Sequence, residues 1–189
     1  MGSLFRVSVT LLFLSITLLS SSAQEFSEEE SSLPELSLRV STSFSTALAN
    51  LQNQINYTFK RVVLLRQAMT HSSYSEENNK ALSVLGESVI ETSVALQSLR
   101  KDVDISAKEL NLAMAEAAKV EGSCNAGGIR LGLQNVVRVA SKTNATAPAV
   151  VCGAFRALFG AIAIDAGSSD VAGEVYGKTR GGVWSAVTV

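Results

Sequence analysis

The chain is poor in residues that break helices, ligate soft metals or carry charge. Only two prolines, Pro34 and Pro148, stand in 189 residues, so little blocks a helix of several turns. His71 is the single histidine, and the two cysteines, Cys124 and Cys152, lie 28 positions apart. Zinc centres draw four ligands from such groups, usually in closely spaced pairs, and these three residues do not make one. Charged residues are 17% of the chain and the formal net charge is −1, which argues against the strongly basic balance of a nucleic-acid-binding protein. A Gly-rich phosphate loop, a Gly-x-Ser-x-Gly elbow and a Cys-x-x-Cys pair are all missing, and with them the chemistries they carry. No segment alternates apolar and polar residues over a strand's length, and no internal repeat is present. The expected fold is all-α.

A long membrane-crossing run at the N-terminus is missing too. The apolar core from Val7 to Leu19 has thirteen residues, about 20 Å as a helix, short of a hydrocarbon layer of ~30 Å. Arg6 precedes it, and Ser21-Ser-Ala23 supplies the small-x-small pattern of a cleavage site. Residues 1–23 therefore read as a secretory signal peptide, which leaves no retained membrane span and places the chain in the endoplasmic reticulum lumen or outside the cell. The alternative address is the mitochondrion, but a presequence for that route is Arg-rich and amphipathic. Asn56-Tyr-Thr58 and Asn144-Ala-Thr146 are N-glycosylation sequons, in keeping with the secretory reading. Cys124 and Cys152 could pair in an oxidising lumen or stay as buried thiols. If paired, their loop contributes roughly 3–4 kcal/mol by the chain-entropy model.

Residues 24–40 open with five glutamates among serines and read as an acidic flexible linker. Without Arg6 the mature chain carries 15 basic against 17 acidic residues. Residues 41–172 form the expected domain, and 173–189, with four glycines, reads as a loosely ordered tail. Helices are expected over Ser41–Ile55, with Phe44, Leu48, Leu51 and Ile55 on one stripe, and over Arg61–Met69. The clearest is Lys80–Leu99, where Leu82, Leu85, Val89, Leu96 and Leu99 recur at helical spacing and Asn78 or Asn79 can cap the start. Gly86 inside it costs about 1 kcal/mol in propensity, which a close crossing by another helix would explain. Ser106 and Glu109 form a capping box for the next helix. Gly122 and Gly127-Gly128 read as breaks, and residues 129–141 and 148–166 as two further apolar helices.

Two blocks carry a resemblance. Thr70, His71, Ser73, Tyr74, Asn79, Leu82, Leu85 and Gly86 fit the ribonuclease III signature, Leu-Thr-His-Arg-Ser-Tyr followed by Asn-Glu-Arg-Leu-Glu-Phe-Leu-Gly-Asp. Phe155, Ala157, Leu158, Gly160, Ala161, Ile162, Asp165 and Gly167 fit that family's second block, Ala-Asp-x-Phe-Glu-Ala-Leu-Ile-Gly-Ala-Ile-Tyr-Leu-Asp-x-Gly. The chain thus resembles the ribonuclease III family, which implies a helical nuclease-type domain, a homodimer through the signature helix Leu82–Leu99, and double-stranded RNA cleavage with Mg²⁺.

The positions that would do that chemistry depart from the pattern. Carboxylates four apart and three apart on two helices can aim at one cation. Here those positions hold Ser83, Glu87, Gly153 and Arg156, and a further acidic position is Lys80. Serine is a weak neutral ligand, glycine has no side chain and arginine repels a cation. Glu87 is the only remaining ligand candidate. His71 reads as a hydrogen-bonding structural residue. Basic residues such as Arg100, Lys108, Arg130 and Arg138 are interleaved with acids, so duplex RNA is not an expected partner.

The expectation is a catalytically inactive scaffold that needs no cofactor. The short plant ribonuclease III-like proteins it resembles imply a part in fusion of polar nuclei (karyogamy) in the female gametophyte. The alternative is a divergent double-stranded-RNA endoribonuclease in RNA processing, using Mg²⁺ on Glu87 with Glu91, Glu116 or Glu121. An ion pair between Glu87 and Arg156 is the expected occupant of the vacated site.

Overall fold

The computed structural model describes the backbone of residues 32–180 and the side chains of residues 42–180. The signal-peptide reading of residues 1–23 lies outside the described residues. The chain divides between Ser43 and Phe44 into two units, and everything below concerns the second except the first turns of α1. Among the described residues seven α-helices follow in order: α1 Ser32–Ile55, α2 Val62–Ala68, α3 Lys80–Lys101, α4 Ala107–Ala118, α5 Asn125–Arg130, α6 Pro148–Ala166 and α7 Ser169–Thr179. A π-type turn, Val120–Cys124, links α4 to α5, and a 3-10 turn, Leu133–Asn135, follows α5. Among the described residues no strand forms; Thr70 and Arg138 make one isolated parallel bridge.

α6 organises the body. Its residues are apolar almost all round, and thirteen of its nineteen are buried, as expected of a helix enclosed on every side. It is long and apolar enough to cross a membrane, but two thirds of that stretch is already covered by the protein itself. Phe155, Phe159 and Tyr176 of α7 meet edge to face around it, Phe159 to Tyr176 at 5.3 Å between ring centres. α3 crosses α6 backbone to backbone. A Cβ on Gly86 would collide with the Arg156 carbonyl, and one on Gly160 with the Leu82 carbonyl. That contact offsets the propensity cost of Gly86.

Several elements differ from the sequence expectation. α1 starts at Ser32, inside the stretch read as a flexible linker, with Pro34 in its first turn where the ring is tolerated. Residues 173–179, read as a loose tail, complete α7, whose Val175 and Tyr176 are buried. No single helix covers 129–141: Gly132 at φ 68° ends the chain's helical path after α5, and Arg138 then bridges to Thr70. Gly127 and Gly128 lie within α5 rather than breaking the chain. On α3 the buried side is Leu82, Gly86, Val89, Ile90 and Val94. Leu85, Leu96 and Leu99 are 38–42% exposed, because apolar residues lie on more than one face of the helix and α6 packs on the side centred on Gly86.

Candidate functional site: an ion pair at the helix crossing

Ser83 and Glu87 lie one turn apart on α3, and Gly153 and Arg156 share a face of α6, so the crossing at Gly86 brings both pairs to one place. Arg156 Nη2 stands 2.7 Å from Glu87 Oε1. The same nitrogen donates to the carbonyl of Ala118, the last residue of α4. Helix C-terminal carbonyls lack intrahelical partners and attract a cation. One guanidinium thus ties α3, α6 and the end of α4 together. The Arg156 side chain is 15% exposed and that of Glu87 36%, so the pair is sheltered on one side and wet on the other.

The remaining two positions are open. A Cβ built on Gly153 meets nothing within 4 Å, and Ser83 is half-buried, its backbone N–H donating to the Asn79 carbonyl at 2.8 Å. Among the described residues no group of three or more His, Cys, Asp or Glu could hold a metal, so Glu91, Glu116 and Glu121 do not rebuild a cluster around Glu87. Glu116 pairs instead with Lys119 at 3.8 Å. A divalent cation does not fit these residues: one carboxylate is present and a guanidinium occupies it.

A covalent tie runs beside the ionic one. Cys124, ending the π-type turn, is bonded to Cys152 of α6 with S–S 2.02 Å, and both are buried. Cys152 sits one turn before Arg156, so the α4 end and the turn after it are held to α6 by two neighbouring links.

The other candidate residues have local roles. His71 Nδ1 accepts from the Ser73 backbone N–H at 3.1 Å and contacts Ser73 Oγ at 2.9 Å, while Ser73 Oγ accepts from the Ala140 N–H. It pins a loop. Asn79 does not cap α3 with its side chain; it is buried and donates to the Ala68 carbonyl at 3.3 Å, while Asn78 Oδ1 accepts from the Lys80 N–H. Asn56 is exposed, at φ 50° just past the end of α1, a left-handed position that asparagine tolerates. Asn144 is exposed, its Oδ1 accepting from the Thr146 N–H at 2.9 Å and hydroxyl at 2.8 Å.

Two constellations escaped the sequence reading. Asp165, in the last turn of α6, is fully covered and accepts from the Lys60 N–H at 2.9 Å, the Arg61 N–H at 2.8 Å and the Tyr57 hydroxyl at 2.9 Å. It ties the segment just before α2 to the end of α6. Burial alone raises its pKa, but the backbone N–H groups of Lys60 and Arg61 and the Tyr57 hydroxyl outweigh that, and the net shift is downward. Burial pushes the Tyr57 phenol up to about 12, helped by its bond to Asp165. Separately, the Arg138 guanidinium lies 4.2 Å from the Phe44 ring centre and 4.8 Å from that of Tyr74, and donates to Thr70 Oγ1 at 2.7 Å.

Two central helices in backbone contact, with smaller helices around them, define an all-helical domain of the ribonuclease III nuclease type. The chain belongs to the ribonuclease-III-like family, whose sequence model matches residues 62–179, from α2 through α7. It is 53% identical over 150 residues to Protein NUCLEAR FUSION DEFECTIVE 2 of Arabidopsis thaliana, covering 78% of each chain. Ribonuclease 3 of Thiobacillus denitrificans is 36% identical over 122 residues, covering 63% of this chain and 54% of that one; this chain spans about half of that bacterial relative. The nuclease domain of ribonuclease III from Campylobacter jejuni aligns with TM-score 0.65 at 24% identity, over 69% of this chain and 93% of that one, a likeness of fold.

Proposed function

We propose that this chain is a non-cleaving ribonuclease III-type scaffold of the secretory pathway, acting through protein contacts in nuclear fusion. The observation that carries the reading is the Arg156–Glu87 pair at 2.7 Å: the one carboxylate left at the family's metal positions is neutralised by the chain's own cation. The Cys124–Cys152 bond suits an oxidising lumen, and exposed Asn56 and Asn144 suit glycosylation. The Arabidopsis relative's name supports a place in nuclear fusion, here the joining of polar nuclei. For partners, α3 offers Val84 at 69% exposure, with Leu85 and Leu99 at 38%, an apolar face that we assign to a second copy of the chain. A Campylobacter nuclease-domain structure is described by its region of dimer formation, which supports that assignment.

Thermal unfolding with added Mg²⁺ or Mn²⁺ tests the site, because a ligand that binds the folded state raises the midpoint. An unchanged midpoint is expected; a rise that disappears in Glu87→Ala contradicts it. For the address, the mature chain is expected to begin near Gln24 and to lose mass on glycosidase treatment. An intact Met1 with no mass loss contradicts it. For the dimer, sedimentation is expected to show a dimer that Val84→Glu splits; a wild-type monomer contradicts it.

A further inference from the structure

A groove of about 420 Å³ lies between α3 and α7, within the size range of small-ligand sites. The packing gives its two walls a common direction. Gly86 meets the Arg156 carbonyl while Leu82 meets Gly160, so α3 runs against α6. Tyr176, near the end of α7, meets Phe155 and Phe159 in the middle of α6. The tight turn at Gly167 joins the end of α6 to the start of α7, so α7 runs against α6 as well. Hence α3 and α7 run the same way along the groove, in contact where a Cβ on Gly173 would collide with Ser93.

The two ends of the groove therefore differ in charge. Arg100 is in the last turn of α3 and Lys178 in the last turn of α7, so both line the same end. Both are exposed, and among the described residues neither pairs with a carboxylate. Two more cations stand near that end: burial pushes the Tyr176 phenol up, and the Arg180 and Arg130 guanidiniums act on it in the opposite direction. Asp170, in the first turn of α7, marks the other end, and Glu174 is exposed one turn along. Between the ends Val89, Leu96 and Tyr176 give an apolar lining, and Gly173 and Gly177 leave the α7 wall without bulky side chains. From Val89 to Arg100 the α3 wall is about 17 Å long. The complementary occupant is apolar along its length and anionic at one end. Its head accepts charge-assisted hydrogen bonds from the guanidinium and the ammonium, and the acidic residues toward the other end fix which way it lies. We propose that the α3–α7 groove binds a single-chain lipid with one anionic head, the head at Arg100 and Lys178 and the chain along Leu96 and Val89.

Calorimetric titration of the full chain with dodecanoate and with dodecyl phosphate, each kept below its micelle concentration, tests this. Saturable binding of at least one of them at a single site is expected, and the tighter of the two names the head. Dodecyltrimethylammonium, with the same chain and a cationic head, is expected not to bind. Arg100→Gln combined with Lys178→Gln removes both cations at exposed positions, and is expected to weaken binding of the anionic probe roughly tenfold or more. Leu96→Glu, at a position 42% exposed, puts a carboxylate into the apolar lining and is expected to abolish binding. The charge variant leaves that lining intact, so it decides the matter even where Leu96→Glu disturbs the fold. Absence of saturable binding to either anionic probe overturns the proposal. So does equal affinity for the cationic probe, or unchanged affinity in the charge variant.

Discussion

Arg156 reaches across the α3–α6 crossing to Glu87 at 2.7 Å while donating to the Ala118 carbonyl with the same nitrogen. Removing the arginine therefore breaks two contacts at once, and removing the glutamate breaks one. With Arg156 mostly covered and Glu87 about one third exposed, the costs fall between those of surface and buried pairs. Arg156→Ala is expected to cost about 2 kcal/mol and Glu87→Ala about 1 kcal/mol or less. Urea unfolding of both single variants and the double variant measures the coupling. A coupling of zero would mean that the pair is incidental.

The disulfide between Cys124 and Cys152 closes a 28-residue separation. Replacing both cysteines with alanine is expected to lower stability by about 3–4 kcal/mol by the chain-entropy model. The comparison is equilibrium unfolding of the oxidised protein against the double variant. Equal midpoints contradict the assignment of a structural role to this link.

The contact between α3 and α6 leaves no room for a methyl group. Gly86→Ala is expected to destabilise by about 3 kcal/mol or more, because the obstruction is the Arg156 backbone carbonyl rather than a side chain that can turn aside. Gly153→Ala, facing open space, is expected to be neutral or slightly stabilising, since alanine is the better helix former. Parallel thermal melts distinguish the two, and equal losses contradict the described packing.

Tyr57 and Asp165 set opposite pH limits. The Tyr57 phenol rises from 10.0 to about 12 in the folded protein. Its contribution is complete below pH 10 and is lost as pH climbs from about 10 to 12. Asp165 is shifted below 3.8, so its contribution is present above that pH and is lost on acidification. Tyr57→Phe is expected to flatten the alkaline decline while leaving an acid one. Unfolding free energy measured against pH decides; identical alkaline slopes in both proteins contradict the link.

Much of this was legible in the residues. Leu48, Leu51 and Ile55 announce the inner stripe of α1, Ser106 and Glu109 a capping box that forms at 3.2 Å in both directions, and the two motif blocks the helical nuclease-type fold. What was not legible depends on neighbours distant in sequence. Leu85 and Leu96 look as core-like as Val89 until α6 chooses the side of Gly86. Tyr57 reads as the middle of a sequon, and only folding brings it to Asp165. Residues 129–141 have the apolar content of a helix, yet Gly132 turns the chain and Arg138 leaves the helical path for Thr70, Phe44 and Tyr74.

The most direct test of the central claim is incubation of the purified chain with double-stranded RNA in Mg²⁺ and in Mn²⁺, beside Glu87→Ala. The expected result is intact RNA in every lane, because Arg156 holds the only carboxylate at the crossing. Metal-dependent cleavage products from the wild type that vanish in Glu87→Ala would contradict it and establish a working nuclease at this site.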